Sequence, residues 1–159
     1  SSDVCSSDLT LHGNSGNDQL KGSNGNDLIY GNNDHDTLQG EGGNDELHGG
    51  SGMDEIHGGN DDDTLYGDAD NDQLFGGKGD DTLIGGSGAD RFRLSKGSDT
   101  IKDFSINDGD QLLIKASIDL SIEQVDDDLL LTNAEQGIKT KVNGVELAQL
   151  LEYQPELFA

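Results

Sequence analysis

The stretch "GGKGDDTLI", residues 76–84, contains three glycines, two aspartates and only two large apolar residues. A peptide of this kind is too short and too polar to form a hydrophobic core by itself. It is one of many, because residues 13–93 divide without insertion into nine consecutive nonapeptides. In order they are GNSGNDQLK, GSNGNDLIY, GNNDHDTLQ, GEGGNDELH, GGSGMDEIH, GGNDDDTLY, GDADNDQLF, GGKGDDTLI and GGSGADRFR. A fixed short period is typical of stacked-repeat architectures.

Three positions are constant in these copies. The first position is glycine, the sixth is aspartate and the eighth is large and apolar in all nine. The sixth-position residues are Asp18, Asp27, Asp36, Asp45, Asp54, Asp63, Asp72, Asp81 and Asp90. The eighth-position residues are Leu20, Ile29, Leu38, Leu47, Ile56, Leu65, Leu74, Leu83 and Phe92. We therefore expect one charged and one core side chain at the same place in every copy.

Each copy predicts a turn followed by a strand. The first six positions favour a turn, because glycine adopts positive φ freely and asparagine and aspartate tolerate it. The last three positions, such as Thr82, Leu83 and Ile84, predict a short strand with its central side chain pointing inward. Two successive nonapeptides then form one flattened coil. Stacked coils pair their strands in parallel about 4.8 Å apart, which predicts an all-β solenoid of two sheets.

The charge of the chain indicates a cationic partner. The net charge is −24 and only 30% of the residues are hydrophobic, a composition close to that of disordered chains. Coil stacking places aspartates of copies two apart on one edge, where unit charges about 5 Å apart repel by about 0.8 kcal/mol in water. One core residue per copy is too little to offset this repulsion and the chain entropy. The same acidity argues against nucleic acid or anionic membranes as partners.

Carboxylate and backbone carbonyl oxygens are the ligands that these copies offer, since none of them contains cysteine. Such ligands on flexible glycine turns favour Ca²⁺ over Mg²⁺, which requires stricter geometry. Zinc is disfavoured because the histidines are scattered. Three of them take the ninth position on the outer strand face and one lies in a turn, namely His12, His48, His57 and His35. We interpret them as solvated surface residues.

The nonapeptides resemble the haemolysin-type calcium-binding repeats of the RTX (repeats-in-toxin) family, G-G-x-G-x-D-x-U-x. The best matches are GGSGMDEIH, GGKGDDTLI and GGSGADRFR. The resemblance implies a right-handed parallel β-roll in which each sixth-position aspartate binds Ca²⁺ with turn carbonyls of two successive coils. The carbonyls that it implies are those of Gly16, Gly25, Gly43, Gly52, Gly79 and Gly88. Counting the gaps between coils on the two edges gives about seven calcium sites.

Some copies depart from the family pattern. Other residues replace glycine at the second position (Asn14, Ser23, Asn32, Glu41, Asp68) and at the fourth (Asp34, Asp61, Asp70). These changes either weaken individual sites or add a carboxylate ligand, and the sequence leaves both open. Beyond the copies, Asp99 and Asp103 are read equally well as ligands of a further Ca²⁺ or as turn carboxylates.

Residues 94–159 are expected to leave the repeat register at Leu94 and to cap the last coil. The segments "GSDTIKDF" (97–104) and "DGDQLLI" (108–114) resemble those that follow the repeats in RTX proteases and adhesins. Strands are predicted near 110–115, 121–125, 128–133 and 138–142. The stretch "VELAQLLEY" (145–153) predicts one short helix. Its apolar face holds Val145, Leu147, Leu150 and Leu151, and it is bounded by Gly144 and Pro155.

The two ends of the sequence have distinct interpretations. Residues 1–9, "SSDVCSSDL", read as the translation of a short-read sequencing adapter, so the natural protein is expected to extend upstream. The repeat-like region then spans residues 10–93, since Thr10, Leu11 and His12 fit the last three positions of a preceding copy. The final "ELFA" is similar to the C-terminal signals of type I secreted proteins.

These observations favour a calcium-binding module, not an enzyme, at the C-terminus of a larger secreted bacterial protein such as a protease, lipase, cytolysin or adhesin. In this interpretation calcium drives folding outside the cell after export through the type I secretion machinery. The alternative is a calcium-dependent adhesive or carbohydrate-binding repeat that contacts a cell surface or glycan. The sequence contains no run of about 18 apolar residues, so no transmembrane helix is predicted.

Overall fold

A computed structural model describes residues 7–113 and 121–154 of the chain. These residues form fifteen strands and one helix. The strands are β1 (Thr10–Ser15), β2 (Gln19–Asn24), β3 (Leu28–Asn33), β4 (Thr37–Gly42), β5 (Glu46–Ser51), β6 (Glu55–Asn60), β7 (Thr64–Ala69), β8 (Gln73–Lys78), β9 (Thr82–Ser87), β10 (Arg91–Arg93), β11 (Gly97–Ile101), β12 (Gln111–Leu113), β13 (Ser121–Val125), β14 (Asp128–Asn133) and β15 (Ile138–Val142). The helix is α1 (Leu147–Tyr153).

Strands β1 to β12 alternate between two sheets, as expected for a flattened coil. One sheet has the order β1-β3-β5-β7-β9-β11-β15-β14-β13 and the other β12-β10-β8-β6-β4-β2. Within the repeats every neighbouring pair is parallel and joins equivalent positions of copies two apart, for example Leu20 with Leu38 and Leu47 with Leu65. The all-β, two-sheet solenoid with two nonapeptides per coil is therefore confirmed.

The eighth-position residues form the core between the sheets. From Ile29 to Phe92 they are at most 2% exposed. Leu20 is only partly buried, because β2 lies at the edge of its sheet and has one neighbour. The core of the array is thus a single row of side chains on each sheet, and every copy adds one residue to it.

The strands are longer than the three residues that the sequence predicted. Most have six residues, because the chain stays extended through the first-position glycine and pairs again at the second and third positions, as in Asn32 with Gly50. Positive φ falls instead at the second and fourth positions, for example at Asn32 (82°) and Asp34 (73°). The turn is therefore built around these two left-handed residues, and the invariant glycine has another purpose.

The repeat register continues beyond residue 93, so the predicted end at Leu94 was too early. Residues 94–102 form a tenth copy with Gly97 left-handed (φ 137°) at the fourth position and Ile101 buried at the eighth. Strand β11 pairs with β9 in the expected register. A further turn ends in β12, which pairs with β10 and aligns Phe92 with Leu112 instead of Asp110. Because two residues are inserted before β12, the nine-residue period in the sequence does not reveal this last copy.

The strands of the C-terminal region, residues 121–154, extend the nine-stranded sheet, and the end of helix α1 contacts the other sheet, where the Leu112 N–H donates to Gln154 Oε1 at 3.0 Å. Strand β15 pairs in parallel with β11, whereas β14 and β13 follow in antiparallel order. The strands predicted at 121–125, 128–133 and 138–142 and the helix within 145–153 are all present. Val145 and Leu150 pack into the core. The Leu151 side chain, Pro155 and the "ELFA" tail lie outside the described residues.

Helix α1 begins where the side chain of Gln124 meets it, because the Leu147 backbone N–H donates to Gln124 Oε1 at 2.7 Å. This contact ties the helix to strand β13. In the described ranges no helix is long and apolar enough to cross a membrane.

Candidate metal centres

The sixth-position aspartates form two columns, one on each edge of the roll. In each column the backbone N–H of one aspartate donates to Oδ1 of the aspartate one coil further along, for example Asp27 to Asp45 and Asp36 to Asp54, both at 2.7 Å. One column contains Asp18, Asp36, Asp54, Asp72, Asp90 and Asp110. The other contains Asp27, Asp45, Asp63, Asp81 and Asp99. Asp110 was not predicted from the sequence, because the two-residue insertion removes it from the nine-residue period.

The second carboxylate oxygen of the repeat aspartates has no hydrogen-bond donor. Within residues 7–113 and 121–154, the buried Oδ2 atoms of Asp18, Asp27, Asp36, Asp45, Asp54, Asp63, Asp72, Asp81 and Asp90 accept no hydrogen bond. Buried polar atoms in proteins are nearly always paired, and an unpaired carboxylate oxygen is strongly unfavourable. Nine repetitions of one exception indicate a shared partner of opposite charge.

Burial raises the pKa of these carboxyl groups. Burial is the main cause that lifts the pKa of Asp63 and Asp72 to about 8. The N–H bonds to Asp63 and Asp72 oppose this increase, and neighbouring carboxylates add to it. The pKa of Asp45 and Asp54 rises to about 6 for the same first reason. Without a counter-charge several of these groups hold a proton near neutral pH, and a bound cation favours their ionised form.

The invariant first-position glycine has a steric role beside each column. A Cβ on Gly49 would lie 2.5 Å from Asp54 Oδ2 and 2.8 Å from the carbonyl oxygen of Gly67 in the next coil. The same pair of oxygens meets above Gly13, Gly22, Gly31, Gly40, Gly49, Gly58 and Gly67. Carboxylate and carbonyl oxygens therefore converge over a bare Cα, which only glycine leaves open. This all-oxygen donor set fits a hard cation such as Ca²⁺.

Each of these sites combines few side chains with backbone oxygen. Among the described residues no group of three or more His, Cys, Asp or Glu side chains is close enough to hold a metal. Two of the carbonyls that the sequence singled out lie between coils, since Gly25 O is close to Gly43 and Gly79 O is close to Gly97. The approach of the first-position carbonyls to the aspartates was not predicted, because it joins residues of different coils.

The fourth-position aspartates differ from the column aspartates. Asp34, Asp61 and Asp70 lie in exposed turns and accept backbone N–H groups of the preceding coil, from Gly16, Gly43 and Gly52 at 3.0–3.3 Å. Their left-handed backbone takes the place of glycine at a position that requires positive φ.

The two aspartates singled out beyond the copies have separate positions. Asp99 continues a column and accepts the Ser95 hydroxyl at 2.9 Å. Asp103 lies outside both columns, and its two oxygens accept the N–H groups of Gly85 and Gly86 at 2.9 and 2.8 Å. The two residues therefore accept hydrogen bonds from different parts of the roll.

Three of the four histidines lie on the outer strand faces, away from the columns, whereas His35 lies in a turn next to Asp36. On the outer face of the nine-stranded sheet His12, Tyr30, His48 and Tyr66 stack ring on ring at centroid distances of 4.4–5.0 Å. We call this row the aromatic ladder. His57 stacks on Phe75 on the other sheet, and His35 Nδ1 accepts the Met53 N–H. Their surface position agrees with the interpretation from the sequence.

Comparison with known proteins gives one family. The family model of the RTX calcium-binding nonapeptide repeat matches four times, at residues 12–47, 39–74, 48–83 and 66–101. Among solved structures, the extracellular lipase LipA from Serratia marcescens is similar, with 20% identity and a TM-score of 0.41. That match covers 86% of this chain, and this chain covers 39% of the lipase chain. No curated protein matches. Since the matched repeats span more than half of the sequence, the chain belongs to the RTX calcium-binding nonapeptide repeat family.

Proposed function

We propose that the nine sixth-position aspartates, Asp18 to Asp90, bind calcium ions between successive coils and that this binding drives folding of the array. The observation that carries the proposal is the set of nine buried Oδ2 atoms without a hydrogen-bond donor among the described residues. When bound, calcium supplies the positive charge that two columns of buried carboxylates need and accepts several oxygen ligands at once.

In the proposed site the two carboxylate oxygens, the backbone carbonyl and the first-position glycine have different roles. In a typical copy Asp54 Oδ1 accepts the Asp36 N–H at 2.7 Å and so fixes the carboxylate against the preceding coil. Its Oδ2 is left free to meet the cation together with the carbonyl of Gly67, and Gly49 lets the two oxygens approach each other because it has no side chain. The oxygens converge in this way above seven glycines, which supports about seven sites. Fourth-position carbonyls at Gly16, Gly25, Gly43, Gly52, Gly79 and Gly88 provide the additional oxygens.

This dependence makes the array a folding switch that responds to the calcium concentration. In a calcium-poor cytosol the acidic chain stays unfolded and suits export through the type I secretion machinery. Extracellular calcium modules bind at about 10⁻⁴–10⁻³ M, so the millimolar calcium outside the cell would fold it. The chain then acts as an extracellular stabilising part of a larger secreted bacterial protein.

Far-UV circular dichroism of the chain during a calcium titration tests the proposal, with magnesium as the control ion. The expected result is a steep transition from coil to β structure with calcium and a much weaker one with magnesium. An equally strong β signal in excess chelator would contradict it.

A matched pair of variants tests the assignment of the ligands. Asp63→Asn keeps the acceptor for the Asp45 N–H, which lies 2.9 Å from Oδ1, but removes the charge. We expect it to raise the calcium concentration at the midpoint several-fold. Asp126→Asn makes the same chemical change in an exposed turn outside the columns and should leave the midpoint unchanged. Equal midpoints for both variants would refute the ligand assignment.

A further inference from the structure

Residues 94–102, "LSKGSDTIK", have the geometry of a repeat copy without its glycine pair. Asp99 is 3% exposed, and its Oδ1 accepts the Asp81 N–H at 3.2 Å, so it continues one aspartate column. Ile101 fills the core position at 1% exposure. The first two positions, however, are Leu94 and Ser95, whereas every complete copy has glycine first. This copy is therefore part of the coil stack and differs at the place where the oxygens converge.

In this copy the second carboxylate oxygen of the aspartate has a hydrogen-bond donor. Asp99 Oδ2 accepts the Ser95 hydroxyl at 2.9 Å, whereas the nine aspartates of the complete copies have no donor there within the described ranges. Ser95 can reach it because its backbone follows a different path. The second-position residue has positive φ in all nine copies, and Ser95 does not belong to that set.

The surroundings of the preceding coil change at the same point. Above Gly49 and Gly58 the carbonyl of the next first-position glycine is among the three atoms nearest to a built Cβ. Above Gly76, where Leu94 follows one coil later, all three nearest atoms belong to Asp81. The tenth copy also carries the Leu94 side chain at the first position, where every complete copy has a bare Cα.

We propose that residues 94–102 are a repeat copy that has lost its cation site, and that the hydrogen bond from Ser95 to Asp99 closes the column without a metal. This inference rests on the proposed function of the sixth-position aspartates as calcium ligands. The Ser95 hydroxyl gives the buried Asp99 oxygen a hydrogen bond within the same copy. The coil whose strand β11 pairs with β15 therefore does not depend on calcium. The last aspartate of the other column supports this reading, because Asp110 Oδ2 accepts the Ser105 N–H at 2.8 Å.

The inference predicts that a site can be restored. The double substitution Leu94→Gly and Ser95→Gly turns the segment into GGKGSDTIK, which has the complete repeat pattern. Bound calcium per chain, counted by native mass spectrometry and equilibrium dialysis in saturating calcium, should rise by one relative to the unmodified chain. A double variant that folds in calcium, as judged by circular dichroism, and binds the same number of ions would overturn the inference.

Two aspartate variants decide the question even where loss of the Leu94 side chain prevents folding. Asp63→Asn should lower the calcium count by at least one, and Asp99→Asn should leave it unchanged. A loss with Asp99→Asn equal to that with Asp63→Asn would identify Asp99 as a ligand and refute the inference. A chain that binds no calcium at all would instead refute the proposed function, and the inference with it.

Discussion

Strands β3, β5 and β7 of the repeat array and strands β13 to β15 of the C-terminal region lie in one nine-stranded sheet, but their charges are satisfied in different ways. In the array the sixth-position carboxylates are buried, and their nine Oδ2 atoms have no donor among the described residues. In the C-terminal region Asp128 accepts Lys141 Nζ and the Gly144 N–H, at 2.8 and 2.9 Å. The proposed calcium ions would supply to the array the opposite charge that Lys141 supplies to Asp128.

The hydrophobic cores of the two regions also differ, because the C-terminal region buries more apolar side chains per strand. Each nonapeptide contributes one core side chain, and strands such as β5 bury only Leu47 among their large apolar residues. Strand β14 buries both Leu129 and Leu131 within six residues, and Val142 and Leu150 pack in the same core. Because hydrophobic stabilisation grows with the apolar area buried, the C-terminal region is closer to an ordinary small domain.

The largest expected effect comes from removing calcium. Calcium at one to ten times the Kd stabilises the folded state by about 0.4–1.4 kcal/mol per site, so loss of about seven sites is comparable to the whole stability of a typical domain. We expect amides of residues 19–93 to lose most of their hydrogen-exchange protection in chelator. Amides of residues 128–142 should keep more of theirs. Hydrogen exchange with mass spectrometry, peptide by peptide, measures both in one sample.

The opposite pattern would break the comparison. If the array kept its protection in chelator while the C-terminal region lost it, the charge of the columns would have to be compensated within the chain. Equal loss in both regions would instead show that the two parts unfold as one cooperative unit.

A methyl group at the first position should have the next largest effect. Gly49→Ala places a Cβ against Asp54 Oδ2 and the Gly67 carbonyl, where overpacking alone costs about 1–3 kcal/mol and pushes the two proposed ligand oxygens apart. Gly42→Ala is the matched control in the array. Its φ is ordinary, and the nearest atom to a new Cβ is the tip of Asn24 at 3.3 Å. Calcium titrations should show a raised midpoint for Gly49→Ala and almost no change for Gly42→Ala. Equal shifts would mean that the open space is not a ligand site.

Much of the array's structure could be predicted from the sequence, because the nine-residue period determines both the coil and the aspartate columns. The invariant aspartate and the apolar eighth position predicted the two-sheet coil, its core and the stacking of charges. The short apolar run in "DLLLTN" (128–133) was likewise sufficient for a C-terminal strand.

What the sequence did not reveal depends on contacts between atoms far apart in the chain. The first-position glycine is invariant because of a close approach to Asp54 Oδ2 and its equivalents, and not because of positive φ. The tenth copy was missed because Leu94 and Ser95 stand where glycines are expected, although Asp99 and Ile101 keep the sixth and eighth positions of the repeat. Asp110 was missed because two inserted residues shift its position while the strand pairing absorbs them.

A smaller effect follows from pH, and the two regions should respond with opposite sign. In chelator the raised pKa values of about 6 and about 8 mean that the array is most stable when its carboxyl groups are protonated. That stability is lost as the pH rises through 6 to 8. Lys141 lowers the pKa of Asp128, so this contribution to the C-terminal region is lost only when the pH falls below about 4.

Circular dichroism in chelator between pH 8 and pH 5 measures the response of the array. We expect the β signal to increase on acidification, and in calcium the apparent affinity to fall over the same range, because the ligands must be ionised. A β signal in chelator that decreases from pH 8 to pH 5 would contradict the assignment of raised pKa values to the columns.

The smallest expected effect concerns the aromatic ladder, which covers the outer face of the array only. Tyr66 stacks on His48 with centroids 4.4 Å apart and ring planes 3° from parallel, and such a pair contributes about 0.5–1.5 kcal/mol beyond its buried area. Tyr66→Leu keeps apolar cover but removes the ring. In saturating calcium it should lower the thermal midpoint slightly and leave the calcium count unchanged. Because the ladder and the columns lie on different surfaces of the roll, a change in bound calcium would show that they are coupled through the strands. The array would then be stabilised by its outer face as well as by its edges, and the contrast with the C-terminal region would be weaker than the buried carboxylates indicate.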